Sequence, residues 1–146
     1  ALCALTHSTF HDAVNNTDLK TCFLATLDEA VAVLDASKAP YRLPGSMPYL
    51  VYRRLLRHTP SVALRASAFH RTASPHAYPS MVADMLAGRI TEVDQLNGEI
   101  SRLGELCHVA TPVNDQITRM VQAREGRTPA AFLSPAELRQ SLTAVG

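Results

Sequence analysis

The chain has 146 residues, 47% of them hydrophobic, with a mean hydropathy near zero and a formal net charge of +1. That is enough for one domain around one core and too little for two comfortable ones. No run approaches the roughly 18 apolar residues of a membrane span, and the start ALCALTHSTF has neither the basic region nor the long apolar core of a signal peptide.

Charge is spread unevenly. Residues 1–35 carry net −4, residues 36–83 net +7 with no acid, and residues 84–146 net −2. A basic middle suits phosphate or nucleic acid, a solvated face, or pairing with the acidic first section. Sparse aromatics and the lack of a nucleic-acid motif favour the structural readings of segment 38–71. Cys3, Cys22 and Cys107 show no CxxC or Cys/His ligand spacing, as expected of reduced thiols in a cytoplasmic protein.

In chain order, Asn16-Thr17-Asp18 is a helix start, with a capping side chain and an acid at the positive end of the dipole. Leu19, Phe23, Leu27, Val31 and Leu34 follow at near four-residue spacing, which predicts a helix ending before Ala39-Pro40. Pro40–Pro48 reads as loop. A second helix is expected over Pro48–His58, with Leu50, Val51, Leu55 and Leu56 inward and Arg53, Arg54 and Arg57 outward. Residues 61–70 suit a short third helix, and Thr72–Pro79 a loop.

From Pro79 the residues Val82, Met85, Leu86, Ile90, Val93, Leu96, Ile100 and Leu103 keep a 3–4 spacing to about Leu106. They predict one long central helix of roughly 40 Å. Gly88, Gly98 and Gly104 interrupt it and mark either kinks or close approaches. Thr111-Pro112 opens a helix to about Glu125, with Val113, Ile117, Met120 and Val121 inward, closed by Gly126. Ser134-Pro135-Ala136-Glu137 is a capping box for a last helix bearing Leu138, Leu142 and Val145. No strand alternation is present, so the fold class is all-α.

The central segment carries polar residues among its apolar ones. Ser80, Asp84, Gly88, Thr91 or Glu92, and Gln95 form a stripe that is either the solvent face of a packed helix or the wall of a site. Ser80 and Glu92 are 12 residues apart. On an ideal axis that is about 18 Å, so the two meet one small group only if the helix breaks between them, as Gly88 would allow. Asp94 and Asn97 lie nearer the apolar side and suit a structural hydrogen-bond network. His7 and His11 stand at a metal-compatible i, i+4 spacing, but with no third ligand in register no metal site is expected.

The residues Ser80-Met81, Asp84, Gly88-Arg89-Ile90-Thr91-Glu92-Val93-Asp94-Gln95-Leu96-Asn97-Gly98, Gly104 and Pro112-Val113-Asn114 follow a known pattern. They resemble the C-terminal domain of the ketopantoate reductase (2-dehydropantoate 2-reductase) family. The likeness is dense over residues 79–125 and weak over residues 1–38. It implies a helical domain of the 6-phosphogluconate dehydrogenase C-terminal-like type, with about five to seven helices around one long central helix.

Such enzymes reduce a 2-oxo acid with NADPH held by an N-terminal Rossmann domain. The resemblance implies that Ser80 binds substrate and that Glu92 orients the site beside substrate or cofactor ribose. It also implies that the general-acid lysine and its neighbouring asparagines precede Ala1, and no Gly-x-Gly-x-x-Gly fingerprint occurs in residues 1–146. Where the family favours Gly or Asn near the start, this chain has His7 and His11.

The leading expectation is therefore a single helical domain over residues 1–146. It would close the cleft of a cytoplasmic pantothenate-biosynthesis enzyme, bind no cofactor alone, and be inactive without a Rossmann partner. The alternative is a non-catalytic helical module that self-associates, for instance as a homodimer. A nucleic-acid binder working through Arg53, Arg54 and Arg57 is the remote third. No membrane partner is expected.

Overall fold

The computed structural model describes residues 1–43, 47–58, 78–128 and 130–145. The expected third helix over 61–70 and most of the loop after it lie outside the described residues.

The first two helices are short: α1 (Leu2–Thr6) and α2 (Phe10–Asn15). Then α3 runs from Thr17 to Ser37, 21 residues and about 31 Å. Its start is the expected one, since the Asn16 side chain accepts hydrogen bonds from the amides of Asp18 and Leu19. Its end is Lys38 in the left-handed conformation, with φ 56°, just before Ala39-Pro40. Next come α4 (Tyr49–His58) and α5 (Ser80–Leu86). A π-helical turn (Asp94–Gly98) leads directly into α6 (Glu99–Cys107), and α7 (Pro112–Gln122) and α8 (Pro135–Thr143) complete the order. No strand occurs among the described residues.

The structural axis is α3, not the segment from Pro79. It packs against α1, α2, α4, α6, α7 and α8, while α5 joins the bundle through α1. The core gathers Ala4 and Leu5 of α1, Leu19 and Cys22 of α3 and Met81, Val82 and Met85 of α5. Val93, the α7 residues Val113, Ile117 and Val121, and Leu138 and Leu142 of α8 complete it. Burying one such aliphatic side chain contributes about 1.5–3 kcal/mol. Desolvation in this core, with a smaller push from Asp18, raises the Cys22 thiol to about 11, which leaves it unreactive at neutral pH.

The helix expected from Pro79 to Leu106 is two helices. The first closes at Ala87 with a Schellman arrangement: the Gly88 amide donates to the Met85 carbonyl and the Arg89 amide to that of Asp84. Gly88 holds φ +64°, and a Cβ there would meet the Thr128 methyl at 2.9 Å. The apolar spacing runs on across the break because Val82, Met85 and Val93 all serve the same core.

The orientation expected for α4 holds only in part: Leu56 is half-buried and Arg54 and Arg57 are exposed as expected, but the other apolar positions and Arg53 do not follow it. Leu50, Val51 and Leu55 face outward, while Tyr49, Tyr52, Arg53 and Leu56 are half-buried. On the packed side lies Asp28 of α3, which accepts hydrogen bonds from the Arg53 guanidinium at 2.6 and 2.9 Å and from the Tyr49 hydroxyl. Burial pushes the Asp28 carboxyl up, but the bonds from Arg53 and Tyr49 and the charges of Arg53 and Arg57 outweigh it. The carboxyl is held below its ordinary range. A carboxyl depressed on folding stabilises above its unfolded pKa and loses that contribution as pH falls through its folded value. Acidification below about pH 4 is therefore expected to loosen α4 first. Tyr49 and Tyr52 NMR signals would report this, and Asp28→Asn would abolish the acid transition that these two residues show. An unchanged acid transition in that variant would sever the link to Asp28.

Candidate functional site

The break after α5 brings the two candidate residues together. Ser80, the first residue of α5, and Glu92, just before the π-helical turn, are both exposed. The turn between them folds the chain back, and the Ser80 hydroxyl donates to Glu92 Oε1 at 3.0 Å. The separation of about 18 Å along a straight helix becomes a direct contact. Beside it, Arg89 Nε and Nη2 both donate to Asp84 Oδ1, at 2.9 and 2.7 Å.

Three polar residues around Glu92 are tied to α7 and its extension. The amide and hydroxyl of Thr91 donate to Glu125 Oε1 at 2.8 and 2.6 Å. Gln122 Nε2 donates to Asp94 Oδ1 at 2.7 Å, and Asn97 Nδ2 to Asn114 Oδ1 at 2.9 Å. The Thr91 oxygen also accepts from the Val93 amide, capping the helix that restarts there. Residues 91, 94 and 97 thus face α7, and Glu92 is left to face Ser80. The structural network expected for Asp94 and Asn97 is present.

A second carboxylate supports α7. Glu29 of α3 accepts from the amides of Val113 and Asn114 at 2.8 and 2.9 Å, and from Asn114 Nδ2 at 2.7 Å. Neither Glu29 nor Glu125 stands out in the sequence. From the sequence Thr111-Pro112 reads as a cap followed by Pro, but Thr111 makes no side-chain cap bond in the structure, so the first-turn amides take an acceptor from elsewhere.

His7 and His11 do not share a helix: His7 ends α1 with φ 48°, and His11 belongs to α2. The His7 ring stacks between Tyr78 and Phe132, with centroids 5.0 and 4.7 Å away. Among the described residues, no three His, Cys, Asp or Glu side chains converge as metal ligands, and no helix is long and apolar enough to cross a membrane.

Chemically, Ser80 and Glu92 make an exposed hydroxyl–carboxylate pair that can bind hydroxyl groups and orient a polar ligand. Residues 1–125 match the family described as "Ketopantoate reductase PanE/ApbA C terminal". The chain is 32% identical over 124 residues to the 2-dehydropantoate 2-reductase of Aquifex aeolicus (strain VF5), covering 84% of this chain and 35% of that protein. It is 45% identical over 49 residues to the enzyme of the same name from Lactococcus lactis subsp. lactis (strain IL1403), covering 33% and 16%. With that of Streptococcus pyogenes serotype M1 it shares 41% identity over 51 residues, covering 34% and 17%. The chain therefore spans about a third or less of the length of these relatives. No solved structure matches it significantly.

Proposed function

The chain belongs to the ketopantoate reductase family, as its C-terminal domain, and on that premise we propose that Ser80 and Glu92 are its contribution to the active site of an NADPH-dependent ketopantoate reductase. The observation that carries this reading is the Ser80–Glu92 contact, made across a helix break on an exposed surface. A helix interrupted so that two polar side chains meet in the open is poor economy for stability and good preparation for a ligand.

Glu92 fits one part of the cofactor. Its carboxylate is an acceptor suited to a ribose or substrate hydroxyl, and among the described residues only Ser80 donates to it. The pyrophosphate has no glycine-rich cradle in this sequence, so that part belongs to an N-terminal Rossmann domain. When bound, NADPH supplies the hydride for the 2-oxo carbon. Ser80 turns its hydroxyl from Glu92 to the substrate, and Glu92 holds a hydroxyl of substrate or ribose in register. The lysine that gives the carbonyl oxygen its proton would come from the segment leading into α1, which packs against the helix that begins at Ser80. Closure of the helical domain on the Rossmann domain would shut water out of the cleft.

The test is NADPH oxidation with ketopantoate by the complete enzyme, this chain joined to its Rossmann domain. Glu92→Gln is expected to lower kcat by about 100-fold through loss of register, and Ser80→Ala to raise KM for ketopantoate by about tenfold. The chain alone should show no turnover. Wild-type kcat/KM in both variants would end the assignment.

A further inference from the structure

We propose that Glu125 is a positioning residue for Glu92, acting through Thr91. The inference rests on the reading of Ser80 and Glu92 as the active-site pair and adds a residue to it.

The turn from Gly88 to Glu92 lies outside the helical ladder, so its shape depends on side-chain acceptors. Glu125 Oε1 takes both the amide and the hydroxyl of Thr91, and the Thr91 oxygen takes the amide of Val93. A single chain of bonds therefore fixes the residues on either side of Glu92. Thr91 is buried, with 8% of its surface exposed, whereas Glu92 is exposed, so the anchored neighbour sets where the free one points. Glu125 lies in the turn after α7, beyond Gln122 and Asn114, which hold Asp94 and Asn97 in the same antiparallel order. Of this set, Glu125 alone holds the residue that precedes Glu92 directly. Two charge-assisted bonds to one carboxylate oxygen make the anchor stiff. Small errors in the placement of a site residue are costly in rate.

In the complete enzyme, Glu125→Ala is expected to lower kcat about tenfold or more, with KM for ketopantoate changed far less. Glu125→Gln, whose amide oxygen still accepts both Thr91 donors, should recover most of that loss. Combined with Glu92→Gln, the Glu125→Ala change should cost nothing further in kcat, because the two act on one step. In the 146-residue chain itself, Glu125→Ala should speed amide exchange at Thr91 and Val93 while Ile117 and Val121 stay protected. Should Glu125→Ala not fold, Thr91→Val removes the hydroxyl link but keeps the amide one, and must lower kcat in the same way by a smaller factor. Wild-type kcat in Glu125→Ala, or an equal loss in the presence and absence of Glu92→Gln, overturns the proposal. If Glu92→Gln itself leaves kcat unchanged, the failure lies in the active-site reading.

Discussion

Glu29→Ala is expected to destabilise the domain by about 3 kcal/mol, lowering Tm by about 10 °C. The N-terminus of α7 explains the size of the effect. Pro112 has no amide hydrogen, and Thr111 gives no side-chain cap, so the first free donors are the amides of Val113 and Asn114. Glu29 accepts both, together with Asn114 Nδ2. Asn114 is buried, with 1% of its surface exposed, so water cannot replace the lost acceptor. Each stranded donor costs about 1–3 kcal/mol, and the carboxylate also favours the positive end of the α7 dipole. Asn114 in turn accepts from Asn97 and donates to the Thr26 carbonyl, so one deletion loosens α3, α7 and the π-helical turn together. Glu29→Gln should cost about half as much, because it keeps one acceptor oxygen. Urea unfolding followed by circular dichroism measures both. A loss under about 0.5 kcal/mol in Glu29→Ala would show that the cap contributes nothing net.

How legible this was in the sequence depends on how local each signal is. The start of α3 was legible because Asn16 caps amides two and three residues away, and the capping box of Ser134 and Glu137 for the same reason. The family pattern was legible because Thr91, Asp94 and Asn97 keep a spacing that one face of α7 requires. The break at Gly88 was visible only as a possibility. A glycine costs about 1 kcal/mol inside a helix and is also the usual stop, and the apolar period continues on both sides.

What the sequence could not carry is long-range pairing. Glu29 serves amides 84 and 85 residues away, and Glu125 serves Thr91 from 34 residues away. The half-buried place of Arg53 on α4 goes with Asp28, which lies 25 residues before it. An amphipathic reading turns apolar residues inward by default, and it has no way to see an acid on another helix that draws an arginine and a tyrosine to the packed side. Arg53, named with Arg54 and Arg57 as a basic face, is thereby committed to Asp28.

The two remaining helix glycines should respond to alanine with opposite signs. Gly98 sits in the π-helical turn, where a Cβ would meet nothing closer than 3.7 Å. Alanine fits there in ordinary contact and restricts the unfolded chain, so Gly98→Ala should stabilise by up to about 1 kcal/mol. Gly104 is different. A Cβ there would stand 2.7 Å from the Val109 carbonyl oxygen and 2.8 Å from the Thr111 methyl, with Val33 of α3 at 3.4 Å. The carbonyl is backbone and cannot swing aside. It belongs to the turn closing α6, in which His108 adopts φ 56° and the Val109 amide returns to the Gly104 carbonyl at 2.9 Å. That turn also delivers Thr111 and Pro112 to the position where Glu29 caps α7. The helix-propensity gain of about 1 kcal/mol is outweighed by overpacking of about 1–3 kcal/mol and by displacement of the cap. Gly104→Ala should therefore destabilise by about 2 kcal/mol net. Thermal unfolding of the two single variants under one set of conditions decides the matter. Equal shifts of the same sign would mean that close approach at Gly104 is not what the residue is for.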